Sequence, residues 1–238
     1  TDYMERPWSL LFYWNTGENM FKLGKDKKKT KKKKEEECES EEETTQVTLA
    51  DLLGGGAEDA GPEGRSIMFV GDVTEEKAAD LISALLVLAQ TKDEDEERGE
   101  DIKLYVNTYG GSADEMFAIY DVMNFCKQHC DIQTIGLGKV MSAGTLLLAA
   151  GTKGKRSIGR HARVMLHAVN GGHVGELHNL QNEMEQMAGL QESYIQAMAN
   201  ETSMTKRQIQ TLINRKVNVY LSSDEAIEKG LADEVWNG

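Results

Sequence analysis

The stretch GKVMSAGT, residues 138–145, decides the fold that this sequence predicts, because a strand ends and a helix begins within it. The apolar residues 132–137 before it predict a strand, and the small and apolar residues 142–150 predict a helix. Ser142 would then stand at the positive end of that helix, where an oxyanion is stabilised. Serine is also a common helix cap, so this stretch alone does not separate a nucleophile from a capping residue.

Strands and helices alternate on both sides of this stretch. The patterns predict further strands at residues 67–70, 102–106 and 163–167, and further helices at 75–90, 114–126, 176–200 and 206–214. In the first of these helices, the periodicity places Ala79, Ile82, Leu86 and Ala89 on one apolar face. This alternation is typical of a layered α/β domain with mainly parallel strand pairing.

Residues 1–64 differ in composition from the rest of the chain. An aromatic and apolar cluster at 8–14 is followed by a lysine-rich run at 25–34 and a glutamate-rich run at 35–43. Because runs of like charge repel and bury nothing, we expect a largely flexible N-terminal tail, with a short helix near 47–53. The catalytic domain is then expected at 65–238, and the aromatic cluster is expected to dock on a partner or on another copy.

Composition excludes several classes of protein. The 238 residues carry a net charge of −13, which argues against binding to nucleic acid or to an anionic membrane surface. The longest apolar stretches fall far short of the roughly 20 residues that span a bilayer. The three cysteines, Cys38, Cys126 and Cys130, complete neither a zinc site nor a disulfide framework, so we expect free thiols.

A histidine and a glycine pair stand at other strand ends. His167 closes the apolar run 163–167, and Gly110 with Gly111 follows the run 102–106. Ser142 and His167 at neighbouring strand ends would form a nucleophile and its base, and backbone N–H groups of the Gly110-Gly111 pair would form an oxyanion hole with the N–H of Ala143. Taken singly, His167 also fits a structural histidine and the glycines a plain turn. The other four histidines suggest no metal cluster.

From about residue 66 to residue 236, the chain resembles the proteolytic subunit of the Clp (caseinolytic) protease. The matching motifs occur in the family's order and at approximately its spacing. They are Asn107-Thr108-Tyr109-Gly110-Gly111, Ile119-Tyr120-Asp121, Gly138 to Gly144 around Ser142, Ala150 to Arg156, Arg163 to His167, Gly171-Gly172 with Gly175, and Leu221-Ser222 through Gly230-Leu231 to Asp233.

The resemblance implies a crotonase-like fold, an α/β spiral of β-β-α units with a protruding handle helix. It also implies catalytic roles: Ser142 as the nucleophile, His167 as the general base, and Gly111 and Ala143 as the oxyanion-hole amides. Gly171, Gly172 and Gly175 match a strand that lines the substrate and contacts the opposite ring. The handle helix matches 176–198, and its apolar face comprises Leu177, Leu180, Met184, Met187, Leu190 and Tyr194.

The third catalytic position departs from the family pattern. Where the family usually has aspartate, this chain has Asn218. An amide oxygen can still orient the histidine ring, but it supplies no negative charge to the imidazolium. In a serine protease built around aspartate, the Asp-to-Asn change costs about 10⁴ in turnover. We therefore expect a slow or assembly-dependent serine endopeptidase.

The resemblance also implies partners. Family subunits form stacked seven-membered rings, possibly of mixed subunits, and degrade unfolded proteins delivered by a hexameric ATPase. Two positions of the cleft that binds the ATPase, often aromatic in the family, are Lys103 and Ser157 here, although Tyr105 and Phe125 remain. No metal or other cofactor is expected, and ATP would be used by the partner, because this chain has no phosphate-binding loop. The expected location is the cytoplasm or the plastid stroma.

Two alternatives remain open. The chain could be a catalytically weak or structural subunit of a mixed Clp ring, which Asn218 and the unusual tail favour. It could also be a crotonase-type acyl-CoA enzyme, which would use an oxyanion hole without a serine nucleophile, although the sequence indicates no CoA pocket.

Overall fold

The computed structural model describes residues 62–91, 98–172 and 174–237. The predicted tail, apart from its last three residues, lies outside this part of the chain, as do the predicted helix near 47–53 and Cys38. The described residues form an α/β fold, as the sequence predicts.

The helices and strands follow one another along the chain after a 3-10 turn at Pro62–Arg65. The helices are α1 (Glu75–Gln90), α2 (Ala113–Cys126), α3 (Ala143–Ala149), α4 (Leu177–Glu201), α5 (Lys206–Ile213) and α6 (Ser223–Glu228). The strands are β1 (Ser66–Val70), β2 (Gly99–Thr108), β3 (Cys130–Met141), β4 (Arg156–Gly159), β5 (Arg163–Leu166), β6 (Val219–Leu221) and β7 (Glu234–Trp236).

Within the described residues, the strands form one sheet in the order β1-β2-β3-β4-β7, and all of these pairs are parallel. β5 pairs in parallel with β3 and antiparallel with β6. The predicted mainly parallel pairing is confirmed. The four short elements β4, β6, α6 and β7 were not predicted, because segments of three to six residues show little periodicity. Among the strands of similar length, β1 and β5 were predicted from their apolar residues.

Strand β3 changes its neighbour partway along its length. Residues 134–136 pair with β4, whereas residues 139–141 pair with β5. Gly138 lies between the two segments with φ +62°, a conformation that favours glycine. The strand therefore runs four residues beyond its predicted end, and its last residues lie beside β5. This arrangement brings the ends of β3 and β5 together.

Helix α1 has its predicted bounds but a different buried face. Its buried residues are Ala78, Leu81, Leu85 and Ala89. Of the predicted face, Ala89 is buried, Ile82 and Leu86 are half-buried and pack against the core, and Ala79 is exposed, so the buried face is rotated relative to the prediction. Both sets have helical spacing and both are apolar. Packing against the sheet and α2, which periodicity does not specify, selected between them.

Helix α4 is buried only toward its end. Leu177 and Met184 near its start are 67% and 70% exposed, whereas Tyr194 and Met198 are buried. The strand implied for residues 171–175 is not present among the four of those residues that the structure describes. An extended segment needs a hydrogen-bonding partner, and none of the described residues supplies one there. Among the described helices, none combines the length and the apolar character that crossing a membrane requires.

Candidate active site

Ser142 lies in a sharp turn between β3 and α3. Its φ and ψ angles are +53° and −120°, in a region that residues other than glycine rarely adopt. Its side chain makes no capping hydrogen bond, so the capping role that the sequence left open is not the role it has here. A strained strand-to-helix turn holds a hydroxyl clear of the backbone, which is the geometry of a nucleophile elbow.

Gly110 makes room for this turn. A Cβ atom at Gly110 would lie 2.5 Å from the Cβ of Ser142 and 3.0 Å from the carbonyl oxygen of Met141. Its φ of +104° also disfavours any residue with a side chain. The turn after β2 therefore packs directly against the serine because residue 110 is glycine.

His167 follows β5 and contacts the serine. Its Nε2 atom lies 2.7 Å from Ser142 Oγ. The backbone holds the two residues together, because Ser142 N–H donates to the carbonyl of Met165 at 2.8 Å. Burial lowers the pKa of His167 below its ordinary value, so the ring is neutral at pH 7 and can accept a proton.

Two backbone amides point toward the same region. Val73 pairs with the glycine turn through two backbone hydrogen bonds: its N–H donates to the carbonyl of Gly110, and its carbonyl accepts from the N–H of Ser112. The N–H of Gly111, between these two residues, takes part in neither bond. Ala143 is the first residue of α3, where helical N–H groups have no partner within the helix. Neither amide has a backbone or side-chain acceptor within the described residues. Both are available to a ligand.

A cavity of about 260 Å³ unites these groups. Ser142, His167, Gly111 and Ala143 border it. Its wall also includes Met116, Met187, Leu190 and Tyr194, and the last three come from α4. The sequence analysis placed those three residues on the apolar face of the handle helix, which is the pattern of a core or an interface. Their helical spacing carries no signal that distinguishes a cavity wall from either.

Asn218 precedes β6 and makes no hydrogen bond to His167. β5 and β6 are antiparallel, with Leu166 opposite Val219, so one further step along this register sets His167 opposite Asn218. The Asn218 side chain is exposed and makes no hydrogen bond to any described residue. Of the nearby acids in sequence, Asp233 is paired with Arg156, and Asp224 is exposed on α6.

The glycines of residues 171–175 lie beyond the cavity. Of the segment between β5 and α4, the cavity wall includes residues up to Asn170, whereas Gly171, Gly172 and Gly175 are exposed and do not line it. Their substrate-lining role stays a prediction. In the part of the chain that the structure describes, no group of three or more His, Cys, Asp or Glu side chains is arranged to hold a metal ion.

A hydroxyl, an imidazole and two unused amides around one cavity of an α/β fold are the parts of a hydrolytic enzyme. The family model of Clp protease matches residues 62–238 of this chain. The chain belongs to the Clp protease family, so the resemblance seen in the sequence is confirmed. The family places the chain among the peptidases, and members of the Clp protease family generally form oligomeric rings with ATPase partners.

Proposed function

We propose that the chain is a serine endopeptidase subunit that hydrolyses peptide bonds of unfolded proteins. The observation that carries this proposal is the 2.7 Å contact between His167 Nε2 and Ser142 Oγ beside the unused amides of Gly111 and Ala143. Peptide hydrolysis through an acyl-enzyme needs a nucleophile, a base and donors for the oxyanion, and these four residues supply them.

The reaction follows from this geometry. Ser142 Oγ attacks the peptide carbonyl carbon while His167 Nε2 takes the hydroxyl proton. The carbonyl oxygen becomes an oxyanion that accepts hydrogen bonds from the N–H groups of Gly111 and Ala143. The C–N bond then breaks, and His167 gives its proton to the leaving amine. Water attacks the acyl-enzyme with His167 as base, and the proton returns to Ser142 as the carboxylic product leaves.

Asn218 takes the third position in this proposal. The strand register favours this role, since Asn218 comes opposite His167 when the β5–β6 pairing is continued. An asparagine can orient the imidazole through its amide oxygen but does not stabilise the imidazolium by charge. The expected consequence is slow hydrolysis, or hydrolysis that depends on assembly to bring the two side chains into contact.

The proposed context is a chamber of stacked heptameric rings, homo-oligomeric or mixed with other Clp subunits, and fed by a hexameric ATPase. The exposed apolar residues Leu177 and Met184 at the start of α4 support subunit contact through that helix. Lys103, Tyr105 and Trp236 border a separate cleft that could receive an ATPase loop, although the buried Ser157 does not line it. ATP is consumed by that partner, and this chain uses no metal or other cofactor. The proposed location is the cytoplasm or the plastid stroma.

A second function, that of a weak or structural subunit in a mixed ring, is favoured by one observation. The Nδ1 atom of His167, which carries the ring N–H when Nε2 accepts from Ser142, donates no hydrogen bond to Asn218 or to any other residue that the structure describes. A histidine without an orienting partner is a poorer base.

Labelling with a fluorophosphonate probe separates the two functions, because an activated serine oxygen displaces fluoride to form a stable phosphonyl ester. We expect the assembled wild-type protein to be labelled and Ser142→Ala to be silent. Ser83→Ala, which removes an exposed serine of α1, is the matched control and should label normally. Intact assemblies are measured in parallel by native mass spectrometry. An assembled wild-type ring that takes no label refutes the catalytic proposal and supports the structural one.

A further inference from the structure

A chain of hydroxyl hydrogen bonds joins α4 to the turn that carries Ser142. The Tyr194 hydroxyl lies 2.6 Å from Thr145 Oγ1, and Thr145 Oγ1 donates to the carbonyl oxygen of Ser142 at 2.6 Å. A carbonyl can only accept, and the single hydroxyl proton of Thr145 is used there. Tyr194 must therefore be the donor to Thr145, and the direction runs from Tyr194 through Thr145 to Ser142.

The chain of hydrogen bonds is shielded from water. Thr145 is 0% exposed and Tyr194 is 5% exposed. Burial raises the pKa of Tyr194 to about 12, so its hydroxyl stays a donor at every pH at which a peptidase of this kind would work. Hydrogen bonds that are removed from water are stronger and hold their groups more rigidly than exposed ones.

The acceptor at the end of this chain belongs to the peptide unit that forms the oxyanion hole. The carbonyl of Ser142 and the N–H of Ala143 share one planar peptide unit, in which they point in opposite directions. The carbonyl oxygen accepts from Thr145 N at 3.0 Å as well as from Thr145 Oγ1. Fixing this oxygen toward α3 therefore aims the Ala143 N–H into the cavity.

The strain at Ser142 makes this anchoring necessary. A residue at φ +53° and ψ −120° can relax by rotating the peptide plane that follows it, and that plane carries the Ala143 N–H. The hydrogen bonds from Thr145 oppose the rotation. Tyr194 supports them by holding the Thr145 hydroxyl in the rotamer that donates to Ser142.

We propose that Thr145 and Tyr194 are positioning residues that aim the oxyanion-hole amide of Ala143. This inference deepens the proposed serine-peptidase function and rests on it. Tyr194 also borders the active-site cavity and belongs to the buried end of α4. A displacement of that helix would therefore be transmitted to the oxyanion hole through two hydroxyl groups.

Three substitutions test the chain of hydrogen bonds on a short fluorogenic peptide. Thr145→Val keeps the side-chain shape but leaves the Ser142 carbonyl oxygen with one hydrogen bond, from the backbone N–H of residue 145. We expect kcat to fall about ten-fold while KM stays within about two-fold of wild type. Deleting an oxyanion-hole donor lowers kcat by roughly 10²–10³, and a misaligned donor should cost less than a deleted one. Tyr194→Phe leaves the Thr145 donation in place, so we expect a fall of about three-fold. Thr145→Ser keeps the hydroxyl and should restore most of the lost rate.

The double variant Tyr194→Phe/Thr145→Val tests whether the residues act in series. Because Tyr194 acts only through the Thr145 hydroxyl, the double variant should have the kcat of Thr145→Val alone. Tyr120→Phe is the matched control, because it removes the hydroxyl of a half-buried tyrosine that does not line the cavity. That hydroxyl donates to Glu201 Oε1 at 2.8 Å. It should lower the melting temperature without changing kcat.

The affinity for a peptide aldehyde distinguishes a misaligned oxyanion hole from a general loss of packing. Ser142 Oγ adds to the aldehyde carbon, and the resulting oxygen occupies the oxyanion hole. Affinity for the aldehyde should fall in proportion to kcat, while affinity for the matching peptide product stays constant.

Two failures are distinguishable. A wild-type ring without fluorophosphonate labelling overturns the serine-peptidase function and this inference with it. If the wild-type ring is active, either of two results overturns the inference alone. One is a folded Thr145→Val protein with wild-type kcat and aldehyde affinity. The other is a double variant in which the effects of Tyr194→Phe and Thr145→Val on kcat are additive.

Discussion

Replacing Asn218 with aspartate puts a carboxylate beside the imidazole of His167. The β5–β6 register sets the two residues opposite one another when it is continued by one step from Leu166 and Val219. Side chains in such positions have Cβ atoms about 5 Å apart. At that separation, two unit charges attract by about 1 kcal/mol in water and about 3 kcal/mol at an effective dielectric constant of 20.

The exposure of residue 218 decides between these magnitudes. Since the side chain of residue 218 is exposed, the attraction in water applies, about 1 kcal/mol. This energy corresponds to somewhat less than one unit in the pKa of His167 and to roughly a five-fold change in rate. The carboxylate favours the charged imidazolium, which forms as His167 accepts the serine proton. Asn218→Asp should therefore raise the plateau rate of peptide cleavage about five-fold.

The pH profile should move as well, in a direction set by the base. His167 must be neutral to accept a proton, and burial now holds its pKa below the ordinary value, so wild-type activity is lost only as pH falls through that lowered pKa. A carboxylate raises the pKa of His167. The acid limb of kcat/KM should then move to higher pH by roughly half to one unit, even as the plateau rises.

The assay is the pH dependence of kcat/KM for a short fluorogenic peptide, measured on assembled rings. Asn214→Asp, an exposed asparagine at the end of α5, adds the same charge elsewhere and should leave both features unchanged. An unmoved acid limb together with an unchanged rate would show that residue 218 does not face His167. A large loss of activity would refute its assignment to the third catalytic position.

Three further predictions concern the turn at Ser142 and the Arg156–Asp233 pair. Gly110→Ala should lower kcat/KM by about two orders of magnitude, because the added Cβ would lie 2.5 Å from the Cβ of Ser142; near-wild-type cleavage would mean that the turn yields at no cost. Arg156→Met should lower the free energy of unfolding, measured in urea, by about 3 kcal/mol, because it leaves the Asp233 carboxylate without its buried partner. An unchanged urea midpoint would show that water replaces the guanidinium of Arg156. Although burial alone would raise the pKa of Asp233, hydrogen bonds from Arg156 hold it below its ordinary value, so this pair's stabilisation is present above about pH 4 and is lost as pH falls through the lowered pKa. The melting temperature should therefore fall more steeply in acid for the wild type than for Asp233→Asn, and parallel curves would contradict this.

The sequence pattern predicted all the long elements and the short strands β1 and β5, but it missed the short elements β4, β6, α6 and β7. Helix α1 has its predicted bounds, because sixteen residues give more than four turns of pattern. β6 and β7 have three residues each and are held as strands by their neighbours β5 and β4. Their existence depends on residues distant in sequence, so local pattern does not specify them.

The sequence identified Ser142 and His167 as candidates, but it did not identify the buried hydrogen bonds that hold the turn at Ser142. Ser142 and His167 were both candidates at strand ends, and the structure brings them into hydrogen-bond contact. Thr145 and Tyr194 were not identified as a pair, because 49 residues separate them and a buried tyrosine in an apolar stripe has the same spacing as any core residue. For the glycines at 171, 172 and 175, the substrate-lining role stays a prediction.

The sequence by itself determined the order of most strands and helices and the residue types that can do chemistry, because both are properties of neighbours along the chain. Tertiary structure decided which groups meet. β3 changes its partner from β4 to β5 around Gly138, and this change sets His167 beside Ser142. The same packing selected the buried face of α1 and brought the Tyr194 hydroxyl to Thr145. These outcomes depend on strand register and on helix rotation, and both are set by long-range burial and hydrogen bonding that local periodicity leaves undetermined.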